Sequence, residues 1–155
     1  MNYNYPLVTV LLLSTALVAC SKKIGYLQTS EVKFLDNPYS GTVTVESIGY
    51  GDQIKEAEIN AIQKAFQTII YQGLPAFSGL STPMIPDRTK VDQSILERFF
   101  SRNEYSEFLT GQEDVRVLGK LKNPRGYKVS KVVTINYNSL RRGLEKKGVV
   151  RKFGL

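Results

Sequence analysis

Glu56/Glu58, Glu104/Glu107 and Glu113/Asp114 are the carboxylate pairs close enough in sequence to suggest acid–base catalysis. That chemistry needs two carboxylates held across a cleft in different environments. Glu56 and Glu58 are two residues apart on a helical stretch, so their side chains leave on different sides. Glu104 and Glu107 are neighbours at i, i+3 but belong to an amphipathic surface. All three pairs read as solvated faces. The chain has no histidine, which excludes Ser-His-Asp and Cys-His nucleophiles and His-based zinc sites. Ser78, Ser81 or Thr82 would need Lys90 as a base, and the spacing does not favour that pairing. Gly49-Tyr50-Gly51 lies between a strand pattern and a helix pattern, where a phosphate loop would lie. Ile54 stands in place of the third glycine of the dinucleotide fingerprint. Asp52, Glu56 and Glu58 crowd the helix start and would repel phosphate. The tripeptide therefore reads as a turn followed by a cap. No EF-hand calcium loop occurs. The expectation is a non-enzymatic chain with no cofactor, no metal and no small-molecule substrate.

The one residue with a distinct chemical role is Cys20, the only cysteine. It ends the apolar run Leu7–Ala19, which is too short for a membrane span of roughly 20 residues and suits a secretory h-region. Leu17-Val18-Ala19-Cys20 resembles a bacterial lipobox, in which the cysteine is lipidated and becomes the new N-terminus. The n-region Met1–Tyr5 departs from that pattern because it carries no Lys or Arg. The alternative is a plain signal peptide cut elsewhere, with Cys20 left as a free thiol. On the lipobox reading, residues 1–19 are a signal peptide and acyl chains such as palmitate on Cys20 hold the protein. Each buried methylene then contributes about 0.8 kcal/mol to anchoring. No disulfide framework is available, so packing alone must hold the domain.

Charge is unevenly placed. The net charge is +7; Val115–Leu155 holds twelve bases and one acid, +11, whereas Cys20–Asp114 holds nine bases and thirteen acids, −4. Such polarity suits an acidic partner for the C-terminal third. In an exported protein that partner is lipid headgroups, lipopolysaccharide phosphates or an acidic protein surface, rather than nucleic acid. Arg141, Arg142, Lys146 and Lys147 lie on a short helix pattern with Leu140 and Leu144 opposite, and Arg151 and Lys152 follow. These six are the candidate partner-binding residues. The alternative is a solvated face.

The elements that must position these residues can be read in order. Residues 20–40 read as a lipidated N-terminus and flexible tether; the sixteen residues Ser21–Asp36 would reach roughly 20–25 Å. Residues 41–155 read as a single domain. Gly41–Tyr50 alternates as a strand. Asp52 is the expected cap of a helix over Lys55–Gln72, whose Ala57, Ala61 and Ala65 allow close approach to a sheet. Gly73 and Pro75 end it. Leu74–Lys90 is a loop, with more apolar residues (Phe77, Leu80, Met84, Ile85) than a solvated loop needs. Asp92 caps a short helix bearing Ile95, Leu96, Phe99 and Phe100, and Glu104–Leu109 forms another. The aromatic residues Phe99, Phe100, Tyr105 and Phe108 read as core. Val115–Lys122 and Tyr127–Asn138 are two strands joined by a turn at Asn123-Pro124-Arg125-Gly126. Lys131 interrupts the inward face of the second, as at a bulge or edge. Ser139 is the expected cap of a last helix through Lys147, ended by Gly148, and Val149–Phe153 is a closing strand or docking tail. The expected class is α+β, a small antiparallel sheet with one long packed helix, in the order β-α-(loop)-α-α-β-β-α.

The stretches GTVTVESIGYGDQIKEAEINAIQKAFQTIIYQGLP and GYKVSKVVTINYNSLRRGLEKKGVVRKFGL resemble a family of small bacterial envelope lipoproteins. The first, a strand ending in Gly and then an Ala-rich helix, is similar to the N-terminal module of flagellar assembly protein T. The resemblance implies a non-enzymatic α+β domain that serves as an accessory of an envelope machine. A more pointed likeness is to the outer-membrane lipoprotein subunit of a divergent type VI secretion membrane complex. Ser21, rather than Asp, follows Cys20, which implies the outer membrane and a periplasm-facing domain. The alternative function is a module that binds anionic lipid or lipopolysaccharide through a basic C-terminal face.

Overall fold

The computed structural model describes residues 32–122 and 125–151. Cys20, the Asn123-Pro124 turn and Lys152 lie outside the described residues. The fold is α+β, as expected. Its elements are β1 (Val32–Asp36), β2 (Thr42–Gly51), α1 (Ile54–Tyr71), α2 (Gln93–Ser101), β3 (Leu109–Gln112), β4 (Arg116–Lys122), β5 (Arg125–Asn136) and α3 (Tyr137–Lys146), with 3-10 turns at Ser78–Leu80, Arg88–Lys90 and Glu104–Phe108.

Two strands were not anticipated. Val32–Asp36, read above as tether, pairs antiparallel with β2 as an edge strand. Its alternating Val32 and Phe34 pack against the core, and that burial holds it to the sheet. Leu109–Gln112 forms β3, which was hidden because it is only four residues long and contains Gly111. Among the described residues the sheet has five strands, ordered β1-β2-β5-β3, with β4 also on β5. β3 meets Val133–Ile135 and β4 meets Arg125–Ser130, so they share one side of β5 end to end.

β2 and β5 are the spine. They pair without a register shift from Thr42↔Asn136 to Gly51↔Tyr127. Their inward residues Val43, Val45, Val133 and Ile135 are fully buried against Phe66, Ile69 and Ile70 of α1. Full burial of each such side chain contributes about 1.5–3 kcal/mol. Phe99, Tyr105 and Phe108 close one side of this core, with Phe66 and Tyr105 ring centroids 5.2 Å apart. The aromatic cluster is packing, as its helical spacing indicated.

The Gly-Tyr-Gly tripeptide lies where α1 comes closest to the sheet. A Cβ on Gly49 would lie 2.0 Å from the Ala57 carbonyl oxygen, and one on Gly51 would lie 2.5 Å from the Ala57 nitrogen. Ala57 and Ala61 are wholly buried there with Val129. Glycine on the strand and alanine on the helix let the backbones meet directly.

Three local expectations are corrected. The N-cap of α1 is Gln53, not Asp52, and it makes no side-chain cap bond. Instead Glu56 reaches back and accepts from the Asp52 N–H at 2.8 Å. The N-cap of α3 is Asn136, not Ser139; its side-chain Oδ1 accepts from the Ser139 N–H at 2.9 Å. Lys131 is at neither a bulge nor an edge. It sits in mid-register on the central strand opposite Ser47, and its ammonium donates to Glu58 Oε1 at 2.6 Å. The carboxylate from α1 allows a lysine 4 % exposed to stay on the inward face. Asp92, by contrast, caps α2 as expected and accepts from the Ser94 N–H at 2.9 Å.

Candidate functional site

Glu56, Glu58 and Glu104 are drawn into structural roles. Glu56 serves the turn before α1, while Glu58 serves Lys131. Glu104 accepts from Lys147 at 2.6 Å, and this holds its carboxyl below the usual range. The Ser–Lys arrangement does not assemble: the Ser81 hydroxyl donates to the Ser78 carbonyl, and Lys90 pairs with Asp87 at 3.1 Å. Among the described residues no His, Cys, Asp or Glu cluster could hold a metal ion.

The candidate partner-binding residues point three ways. Arg142 and Lys146 are exposed and one turn apart on α3, which gives them a common side. Lys147 turns toward Glu104, beside Arg98 and Arg102. Arg141 and Arg151 line a cleft. The five described candidates therefore do not form one face. Helical spacing separates 141, 142 and 147 by about 100° per residue.

The cleft lies between the loop after α1 and the chain after α3, and it encloses about 600 Å³. Local structure fixes both walls. Gly73, at φ +75°, turns the chain out of α1, and the Ile85 N–H donates to the Ile70 carbonyl at 2.9 Å. The loop is thereby tied to the end of α1, with Leu80, Met84 and Ile85 buried. This accounts for the apolar excess noted in its sequence. The other wall begins at Gly148, at φ +73°, a conformation that favours glycine. The Val149 N–H then donates to the Leu144 carbonyl at 2.9 Å, and Val149 and Val150 are buried. The segment after α3 is thus a docked tail rather than a strand through Arg151.

The rim is basic: Lys90, Arg141 and Arg151 line it, with Asp87. Asp87 is engaged within its own turn, accepting from the Thr89 hydroxyl at 2.6 Å, from Lys90 and from the Thr89 N–H at 3.0 Å. These contacts, the Thr89 side chain first, hold its carboxyl below the ordinary value. Beside this turn Arg88 lies 3.9 Å over the Tyr71 ring. Burial pushes the Tyr71 phenol up, and Arg88 opposes the shift.

Sequence reading missed Lys90 and Asp87 as neighbours of Arg141, because some fifty residues separate them. The available signal was the apolar loop itself, Met84-Ile85 followed by a charged turn. Among the described residues no helix is long and apolar enough to cross a membrane. No protein-family model, curated protein or solved structure matches the chain.

Proposed function

We propose that this chain is an outer-membrane lipoprotein, anchored through acyl chains on Cys20 and facing the periplasm. It acts as a non-enzymatic accessory subunit of an envelope-spanning complex of the secretion-system kind, such as a type VI membrane complex. The observation that carries the reading is Leu17-Val18-Ala19-Cys20 at the end of a short apolar run. The engagement of Glu56, Glu58 and Glu104 in a helix start and two ion pairs is in keeping with an adaptor. The basic C-terminal third offers the docking surface for a protein partner.

The deciding experiment is Cys20→Ala with metabolic palmitate labelling and membrane fractionation. The variant is expected to lose label and move to the soluble fraction. Unchanged pelleting of an unlabelled variant would overturn the anchor.

A second reading is binding of anionic lipid or lipopolysaccharide. It is favoured by Arg142 and Lys146, which share one exposed side of α3. Salt-sensitive binding to anionic vesicles that Arg142→Glu/Lys146→Glu abolishes would support it.

A further inference from the structure

We propose that β4 is a membrane-contact strand. Its exposed Val117 and Leu118 enter an anionic phospholipid leaflet, while Arg116, Lys120 and Lys122 meet the headgroup phosphates. The proposal rests on the anchor reading above, which brings the domain to a membrane. It adds a contact separate from Arg142 and Lys146 on α3.

The sequence has no acid between Asp114 and Glu145. Within that interval the pairing of β4 with β5 skips Leu118: Val117 pairs with Val129, and Gly119 with Lys128. Such a bulge shifts which side chains share a face. Paired residues lie on the same face, and Arg125, Tyr127 and Val129 alternate onto one face of β5. Their partners Lys122, Lys120 and Val117 therefore share that face too. Without the extra residue, Gly119 and Leu121 would follow Val117 there, and both lysines would lie opposite. The bulge thus collects an aliphatic side chain and two ammonium groups on one surface.

That surface is bare. Val117 and Leu118 are each 46 % exposed, and Arg116, Lys120 and Lys122 are exposed as well. Among the described residues the side chains of Arg116 and Lys122 have no ion-pair or hydrogen-bond partner. Lys120 meets the Tyr127 ring, 5.8 Å from its centroid. Arg125 is already engaged, and the contact does not require it. A Cβ on Gly119 would meet nothing within 4 Å, so the other face of the strand is open too. Among the described residues β4 pairs with β5 alone. Its end also projects: Leu121↔Gly126 and Lys122↔Arg125 lie past Gly51↔Tyr127, the last pair of β2 with β5.

A leaflet is the occupant these features fit. Discrete ligands are held in concave sites, whereas β4 protrudes with both faces open. Interfacial membrane binding uses aliphatic side chains set among cations: the apolar groups enter the acyl boundary and the cations stay at anionic headgroups. Distance allows the contact. Residues 21–31 separate Cys20 from β1, so the anchor holds the start of β1 within roughly 40 Å of the bilayer.

The test uses the full chain reconstituted in liposomes, with an NBD fluorophore on Leu118→Cys and nitroxide-labelled phospholipids as quenchers. In phosphatidylcholine vesicles containing phosphatidylglycerol, quenching should be at least about threefold stronger than in pure phosphatidylcholine. High salt should remove that excess. Arg116→Glu/Lys122→Glu should remove it as well, and Arg142→Glu/Lys146→Glu should keep it. Both substituted side chains of the first variant are exposed, and an unchanged thermal transition verifies its fold. Equal quenching in the two kinds of vesicle overturns the proposal, as does an excess that survives Arg116→Glu/Lys122→Glu. A blue-shifted label in envelope membranes that vesicles of the extracted lipids fail to reproduce assigns β4 to a protein surface and also overturns it. The anchor is read separately. The parent chain, whose only cysteine is Cys20, should take up no NBD, because a lipidated sulfur cannot react. Labelling of the parent overturns the anchor reading alone. Leu118→Cys on a Cys20→Ala chain, added to the same vesicles, then decides the β4 contact by the same comparison.

Discussion

Two places in this protein bring separate segments face to face, and they are built oppositely. Beneath α1, Gly49 and Gly51 meet Ala57 and Ala61 with no room for another methyl group. The one cation there, Lys131, is matched by Glu58 at 2.6 Å. Between residues 84–91 and 148–151 the facing side chains are larger, yet about 600 Å³ stays open. Lys90, Arg141 and Arg151 line that space together with Asp87, which pairs with Lys90 at 3.1 Å. The first contact is complete within the chain. The second stays open, although its apolar lining Met84, Ile85, Val149 and Val150 is already packed into the core. Charge count alone does not separate them, since Lys131, Arg141 and Arg151 all belong to the same basic third. Burial does.

The largest expected effect is at the closed contact. Gly49→Ala places a methyl group against helix backbone, which cannot rotate away, and should destabilise the fold by at least about 3 kcal/mol. Urea unfolding monitored by tyrosine fluorescence measures it. A loss below about 1 kcal/mol would mean that α1 slides easily on the sheet, and the contrast with the cleft would collapse.

The next effect concerns Lys131. Glu58→Ala leaves that ammonium buried beside the unpartnered Ser47 hydroxyl's strand position, at a cost of about 2 kcal/mol. The figure is below that of a fully sealed pair because Glu58 keeps 29 % of its side-chain exposure. Lys131→Met/Glu58→Leu should recover most of the loss, because the pair's desolvation is removed with it. Failure of the double variant to recover would mean that the ion pair itself, rather than the unpaired charge, dominates.

These sites also mark how far the sequence could be read. The β2–α1 unit was legible because its periodicities change sharply, from alternation in Thr42–Gly51 to helical spacing in Ile54–Tyr71. Ala57 and Ala61 disclosed the close packing, whereas Gly49–Gly51, expected to form a turn, is the end of β2 paired with Tyr127–Val129. Lys131 was misplaced because a lysine on an inward strand face ordinarily marks an irregular strand. Its partner lies 73 residues away on α1. Local pattern carries no record of such a meeting. β1 failed for a related reason: its short alternation makes sense only once β2 is beside it. The cleft was half legible. Arg141 and Arg151 were singled out for charge, and Met84 and Ile85 for their excess apolarity, but their convergence is tertiary. The expected common basic face instead splits, since consecutive helical positions cannot all point one way.

At the cleft, stability should barely respond. Lys90→Glu/Arg151→Glu is expected to change unfolding free energy within about 0.5 kcal/mol, because both side chains are exposed. A larger loss would make the rim part of the fold's own structure and narrow the difference from the closed contact.

The smallest effect sharpens the comparison at a third cation, Lys147, which pairs with Glu104 at the surface. The Lys147 hydrogen bond is the leading cause of the lowered Glu104 carboxyl value. A carboxylate whose folded value lies below its unfolded value stabilises the fold above the unfolded value. That contribution fades as pH falls through the folded value. Lys147→Ala should therefore be slightly less stable than the parent at neutral pH, and the two should converge as the solution is acidified below the ordinary carboxylate range. The difference should also shrink with added salt, because the pair is open to solvent. Parallel acid titrations of thermal stability at low and high salt measure both trends. A difference that persists in acid would assign the lysine's role to the packing of its alkyl chain near Ile95, and Lys147 would then behave more like Lys131 than like the cleft cations.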